Sequence, residues 1–225
     1  MPIERLGFVA HFTFEQESFG TVLDVTGNNI RANLYNGAVV KNGILQLNGV
    51  NQYMNLERGI LESQTAFSMM CWVKPRTFRY YARIWDFGKD EDNFMLMSFY
   101  KSKPKPIFQF RLDGSYKTEV EPEFKFPLGV WTHVAITHSG QYVEFFFNGK
   151  YLSSEDVEWK ISDLGSTTNN WIGRSEFDHD EYLNASIGDF RIYRNRLQPN
   201  DIFRIATGMP LIFSTTHLSL DKDFF

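Results

Sequence analysis

The residues of this chain whose spacing could do chemistry are carboxylates. Glu176, Asp178 and Glu181 fit the spacing Glu-x-Asp-x-x-Glu within Glu176-Phe177-Asp178-His179-Asp180-Glu181. On a strand, the two-residue period would put Glu176 and Asp178 on one side, and a bulge would return Glu181 to it. Two carboxyl groups about 5–5.5 Å apart could then act as nucleophile and acid/base on a glycosidic bond. The neighbouring residues argue against this. All but Phe177 are polar, so no apolar alternation anchors a strand, and the run reads as a solvated acidic loop without a catalytic pair. In such a loop Asp178 and His179, with Asp180 and Glu181, could hydrogen-bond sugar hydroxyls or hold a cation.

Asp189 is a second acid of interest. It opens the strand-like stretch Gly188 to Leu197, far along a β-rich chain, and is a candidate metal ligand. Aromatics give a third group. Tyr80, Tyr81, Trp85 and Tyr100 lie in segments rich in Arg and Asp, including Asp86, Asp90 and Asp92, and are candidates for stacking on a sugar. Trp85 also fits a core strand, Ile84 to Gly88. His133 alternates with Trp131 on a strand face and reads as a packed or rim residue rather than a base. No nucleophile elbow and no phosphate-cradling glycine loop occurs.

The elements that would carry these residues are mostly strands. Phe8 to Phe14 alternates, with Phe8, Ala10, Phe12 and Phe14 on one face. Val130 to Thr137 and Tyr142 to Phe147 flank Ser139-Gly140 and predict a hairpin. Asn148-Gly149 and Asp113-Gly114 predict further tight turns, as do Asn36-Gly37, Asn42-Gly43 and Asn48-Gly49. Many short strands separated by such turns predict a sandwich or barrel. The one clear helix signal runs from Pro199 to Ala206 and ends at Gly208. Lys101 to Pro106 is a basic, proline-marked loop.

With 225 residues, 43% of them hydrophobic, the chain can bury one sizeable core. Its net charge of -4 and the lack of any Lys/Arg run give no footprint for nucleic acid. Cys71 is the single cysteine and reads as a buried, reduced thiol. Met1 to Gly7 lacks the pattern of a secretory leader, so the chain is expected either to avoid the usual export route or to begin after a removed leader. No apolar run approaches the roughly 20 residues that span a bilayer.

Eight blocks in order then resemble a known family. They are Ala10 to Phe14; Asp24-Val25-Thr26-Gly27-Asn28-Asn29; Leu45 to Met54; Phe67 to Pro75; Trp131 to Thr137; Val143 to Lys150; Trp171-Ile172-Gly173-Arg174; and Ile187-Gly188-Asp189-Phe190-Arg191-Ile192-Tyr193. The chain resembles the laminin-G-like, concanavalin A-like lectin/glucanase superfamily from about Phe8 to Ile205. The resemblance implies an all-β, two-sheet antiparallel jelly-roll sandwich with one short C-terminal helix, and Trp72, Trp131 and Trp171 in its core or rim. It implies a domain over residues 1–208, with residues 209–225 as a tail that packs back or binds a partner. It also implies a structural Ca²⁺ held by Asp24, Asn29 and Asp189, although Gly188 stands where the family commonly has a further acid. Without the ion, Asp24 would cap the Thr26-Gly27 turn and Asp189 would pair with Arg191 or Arg31.

The function so implied is a non-catalytic module that recognises a glycan or a protein surface; its location stays open, and is the cell exterior or a virion surface if a leader was removed or the protein is particle-associated. The alternative is a structural or particle-decorating protein that assembles with its own copies through the tail. A glycoside hydrolase is the third reading.

Overall fold

Glycine- and asparagine-marked turns divide the chain into short strands, as the spacing predicts. The computed structural model describes residues 7–208. The first half holds β1 (Phe8–Phe12), β2 (Glu17–Ser18), β3 (Thr21–Leu23), β4 (Arg31–Tyr35), β5 (Val39–Lys41), β6 (Ile44–Asn48), β7 (Tyr53–Leu56) and β8 (Phe67–Pro75). There follow β9 (Arg83–Asp90), β10 (Asn93–Ser98), β11 (Ile107–Leu112), β12 (Ser115–Val120), β13 (Thr132–His138) and β14 (Tyr142–Phe147). The last elements are β15 (Lys150–Asp156), β16 (Asn169–Ile172), β17 (Asn184–Tyr193) and the helix α1 (Pro199–Thr207).

The strands form two antiparallel sheets. One runs β15-β14-β13-β8-β17-β6-β5, with β1 also paired to β17; the other runs β12-β11-β10-β9-β16-β7-β4-β3-β2. The expected hairpin is β13–β14, with Val134 opposite Phe147 and Ile136 opposite Phe145. Alternation decides which residues enter the space between the sheets. Phe108 and Phe110 of β11, Val134 and Ile136 of β13, and Phe145 and Phe147 of β14 all do so. Burial of so many aromatic and aliphatic side chains, at about 25 cal/mol per Å², is the main force joining the sheets. Cys71 is buried in this core, and that burial pushes its thiol well above the usual range.

Helix α1 starts at Pro199 and stops at Gly208, which takes the left-handed conformation. It covers part of the outer face of the eight-stranded sheet, where Ile202 and Ile205 pack on Met70, Ala135, Phe146 and Tyr193. Phe8 belongs to this outer cluster and stacks on Tyr193. That corrects the expected single face for Phe8 to Phe14: the register shifts between Phe8 and Ala10, so Phe8 turns away from the core that Ala10, Phe12 and Phe14 enter.

Gly173 to Leu183, between β16 and β17, is a loop, as its composition predicts. The expectation that it is simply solvated does not hold, because Ser175, Glu176 and Asp180 are buried in it. Lys101 to Pro106 is likewise outside any strand. The tail expectation concerns residues 209–225, which lie outside the described residues. No helix among the described residues is long and apolar enough to cross a membrane.

Candidate functional site

The site is built on a strand that carries an ion where a sheet would ordinarily carry a neutral side chain. On β9, Trp85 and Phe87 point into the core, while Arg83 and Asp86 are buried on the opposite side. Arg83 Nε donates to Asp86 Oδ2 at 3.2 Å, Nη2 donates to Asp180 Oδ2 at 2.7 Å, and Nη1 donates to the Tyr81 carbonyl at 2.8 Å. A buried guanidinium needs such partners, since an unpaired buried charge costs several kcal/mol. Asp180 is brought over the sheet by the 173–183 loop, where Ser175 Oγ also donates to it at 2.8 Å.

Glu176 anchors the same loop. Its backbone N–H donates to Asp86 Oδ2 at 3.1 Å, and its Oε2 accepts from Asn169 Nδ2 at 2.8 Å. Its Oε1 has no hydrogen-bond partner among the described residues. Burial first, and the charge of Asp86 second, push its carboxyl up to about 8. Burial also raises Asp86 to about 6, against the opposing pull of Arg83. Gly88 makes this packing feasible, because a Cβ there would lie 2.8 Å from Glu176 Oε1.

Beside this ionic base is a cavity of about 160 Å³, lined by Tyr80, Tyr81, Arg83, Gln109, Tyr116, Phe177, His179 and Asp180. Gln109 and Arg111 are the β11 residues that point away from the core, so the cavity lies on the outer face of the nine-stranded sheet. Tyr80 and Tyr81 meet edge to face at 4.9 Å, and the Arg83 guanidinium sits 4.8 Å from the Tyr81 ring centre. Tyr116 is held by the Arg111 guanidinium, 5.0 Å from its ring centre. The Gln109 amide nitrogen donates to Glu119, which leaves its carbonyl oxygen as an acceptor for the cavity. The Tyr80 backbone N–H donates to Glu181 Oε2 at 3.0 Å, joining the tyrosine segment to the 173–183 loop. Further along this outer face Tyr53 stacks on Tyr35, and Arg174 lies 4.2 Å from the Trp171 ring centre.

The structure brings together four of the aromatic and polar candidates, Tyr80, Tyr81, His179 and Asp180. It removes others. Trp85 is fully buried and meets Phe190 edge to face in the core, so it cannot touch a ligand. Tyr100 stacks on Phe78 and supports the Tyr81 segment through its carbonyl, outside the cavity. Asp178 is 99% exposed at its side chain and lies at the loop tip, 4.0 Å from Arg174. Arg83, Gln109, Tyr116 and Phe177 were not singled out from the sequence. Their signal was weak: polar residues at outward strand positions, and an aromatic inside a polar loop.

The carboxylates of Asp24 and Asp189, expected to share an ion with Asn29, are each engaged by partners of their own. Asp24 Oδ1 accepts from the backbone N–H of His11 at 2.9 Å and of Thr26 at 3.0 Å, and Oδ2 accepts from Thr26 Oγ1. It therefore caps the Thr26-Gly27 turn. Asp189 receives Arg191 Nε and Nη2, each at 2.8 Å, and lies 2.6 Å from His11 Nε2. These partners hold its carboxyl far below the usual range despite burial. Asn29 is exposed in the turn. Among the described residues, no three His, Cys, Asp or Glu side chains converge as a metal centre would need.

A family model described as the concanavalin A-like lectin/glucanases superfamily matches residues 48–203. No curated protein matches the chain. Among solved structures, domain 4 of AbnA, a GH43 extracellular arabinanase from Geobacillus stearothermophilus, in complex with arabinotriose, aligns with a TM-score of 0.71 at 20% identity, covering 89% of this chain and 98% of that one. A botulinum neurotoxin type C structure, concerned with cell entry through two ganglioside molecules, aligns at 0.72 and 15% identity, covering 92% of this chain and 52% of that one. The binding domain of botulinum neurotoxin DC in complex with rat synaptotagmin II aligns at 0.69 and 14%, covering 91% and 52%. The chain spans about half the length of those toxin chains, and at these identities the likeness is one of fold.

Proposed function

The chain belongs to the concanavalin A-like lectin/glucanases superfamily, and we propose that it acts as a non-catalytic module that binds a neutral glycan in the cavity between Tyr81, Tyr116 and Arg83. The observation that carries this reading is the pairing of aromatic walls with a self-neutralised ionic base. Tyr80, Tyr81 and Tyr116 supply faces for the apolar side of a sugar ring. Asp180 and the Gln109 carbonyl accept hydroxyl protons, and the remaining Arg83 N–H groups donate to ring or hydroxyl oxygens. Arg83 already faces two carboxylates, so little positive charge is left over for an anionic sugar. The cavity volume suits a single ring rather than a long chain.

For the hydrolytic reading, the three acids of the Glu-x-Asp-x-x-Glu spacing do not converge. Glu176 is buried over Asn169 and Asp86, Glu181 turns to the Tyr80 backbone and Arg79, and Asp178 points to solvent. A retaining mechanism needs two carboxyl groups on one sugar bond.

Calorimetry against neutral arabino-, xylo- and gluco-oligosaccharides, with sialylated glycans as the anionic comparison, tests the proposal. A neutral-sugar binding event that disappears in Tyr116→Ala and weakens in Gln109→Ala is the expected result. Binding unchanged in both variants, or confined to anionic glycans, would overturn it.

A further inference from the structure

The outer face of the eight-stranded sheet holds a second cavity, of about 560 Å³, beside the area that α1 covers. Met70 and Trp72 are two residues apart on β8 and share that face. Met70 packs under α1, while Trp72 lies beyond the helix and is only half-buried. Trp131, just before β13, is half-buried on the same cavity. The floor between the two indoles is Gly188, where a Cβ would lie 3.8 Å from both Trp131 Cη2 and Trp72 Cβ. Any side chain longer than a methyl group would fill the slot.

The polar inventory of this cavity is unusual for a mere gap in packing. Of the core indoles, Trp159 donates its N–H to Thr118 at 2.7 Å, while the enclosed Trp85 N–H has no partner among the described residues. Among the described residues, the indole N–H groups of Trp72 and Trp131 have no protein acceptor, and neither is an enclosed orphan. Thr13, Glu15 and Asn42 line the cavity mouth, and their side chains make no hydrogen bond among the described residues. Beneath them Asp189 sits at φ +50°, a backbone conformation that a non-glycine residue adopts only when its surroundings hold it. His11 and Arg191 hold it, and the Arg191 guanidinium balances its charge.

We propose that Trp72, Trp131 and the Gly188 slot form a second binding site for a neutral, hydroxyl-rich sugar, which makes the domain bivalent. The two indoles offer stacking faces and free donors, and Thr13, Asn42 and Glu15 offer free acceptors. A free anion finds Arg191 already occupied and Glu15 repelling it. A metal cation finds the Asp189 oxygens taken. The two cavities lie on opposite outer faces of a two-sheet sandwich, so one short oligosaccharide cannot reach both. A polysaccharide or a glycan-coated surface could engage both, on separate strands, with the gain in avidity that linked sites bring.

This site stands apart from the first, and one titration separates their failures. Indole N–H resonances of the whole protein are followed by NMR while the same neutral arabino-, xylo- and gluco-oligosaccharides are added. The Trp72 and Trp131 signals are expected to shift with saturation in the wild type and in Tyr116→Ala. In Gly188→Leu, which fills the slot, and in Trp131→Ala, binding at this site is expected to weaken roughly tenfold or more, the scale of one lost aromatic contact. Unchanged amide spectra elsewhere establish that each variant folds; if Gly188→Leu does not, the surface variant Trp131→Ala decides. The proposal is overturned if neither indole signal moves with any of these sugars, or if the shifts persist undiminished in the slot variants. Loss of binding in Tyr116→Ala alone, with silent Trp72 and Trp131, would leave the first site standing and sink the second.

Discussion

Glu176 donates its backbone N–H to Asp86 Oδ2 at 3.1 Å, so an acid of the 173–183 loop hangs from an acid of β9. The loop thus shares the ionic base of the sheet instead of lying free over it. Arg83 supplies positive charge to both Asp86 and Asp180, and Glu176 takes the remaining place as a carboxyl that burial keeps protonated near neutral pH.

Glu176→Gln should stabilise the protein increasingly as pH rises. The native carboxyl holds its proton to about pH 8, whereas an ordinary glutamate loses it near 4.5. Between those values the native state binds the extra proton, so the stability due to Glu176 is full at low pH and falls as pH rises towards 8. The fall is at most roughly 1.4 kcal/mol per pH unit. Gln carries no such proton and can still accept from Asn169. Urea unfolding at pH 5 and pH 8.5 should find the variant gaining on the wild type at the higher pH; an equal difference at both would contradict a protonated Glu176.

Arg83→Met should be strongly destabilising, by about 3–5 kcal/mol, because Asp86 and Asp180 would be left buried without their cation. Arg83→Lys restores the charge but cannot span both carboxylates, and should fall between. The check is denaturant unfolding with an unchanged slope. A Met variant as stable as the wild type would mean that the ion network does not hold the loop.

The melting temperature should not depend on calcium. To bind at Asp189, the ion would have to displace Arg191 and His11, and at Asp24 it would have to displace the Thr26 cap. Scanning calorimetry with added calcium chloride and with a chelator tests this. A calcium-dependent rise that disappears in Asp189→Asn would restore the ion that the family resemblance implies.

His138 should remain neutral well below its ordinary range. It is stacked on Trp159 at 4.3 Å, its Nε2 faces the Trp159 carbonyl at 3.0 Å, and its Nδ1 accepts the Gly140 N–H at 3.3 Å. Burial lowers its pKa to about 4 from 6.5, so the unfolded chain binds a proton in that window and the native one does not. Its share of stability is complete above pH 6.5 and is lost as pH falls towards 4. Ring-proton shifts that stay flat from pH 7 to pH 5 are expected; a midpoint near 6.5 would refute the buried neutral ring.

Much of the sheet was readable because strands and turns are local. The β13–β14 hairpin needed only alternation and Ser139-Gly140, and α1 needed only Pro199 and Gly208. Phe8 was misassigned because a single register shift at Phe8/Ala10 inverts a face without leaving a mark in the pattern. Trp85 was the weakest of the aromatic candidates because Ile84 to Gly88 also fits a core strand, and an aromatic beside an acid is common in both settings. Glu176 looked solvated because polarity in a loop does not reveal that the loop will be drawn onto a buried arginine.

By itself, the sequence determined the class of fold, the hairpins and turns, the closing strand Ile187 to Tyr193, and that Glu176, Asp178 and Glu181 lie in a loop. Those follow from periods of two residues and from residues suited to tight turns. Only the tertiary structure decided that Tyr81, Gln109, Tyr116 and Asp180 share one cavity, and that Trp72 and Trp131 flank Gly188 on the other face. The first grouping needs the 173–183 loop to fold over a distant part of the sheet, and the second joins β8, the start of β13 and β17, which are far apart in the chain; side-chain type carries no record of such distances.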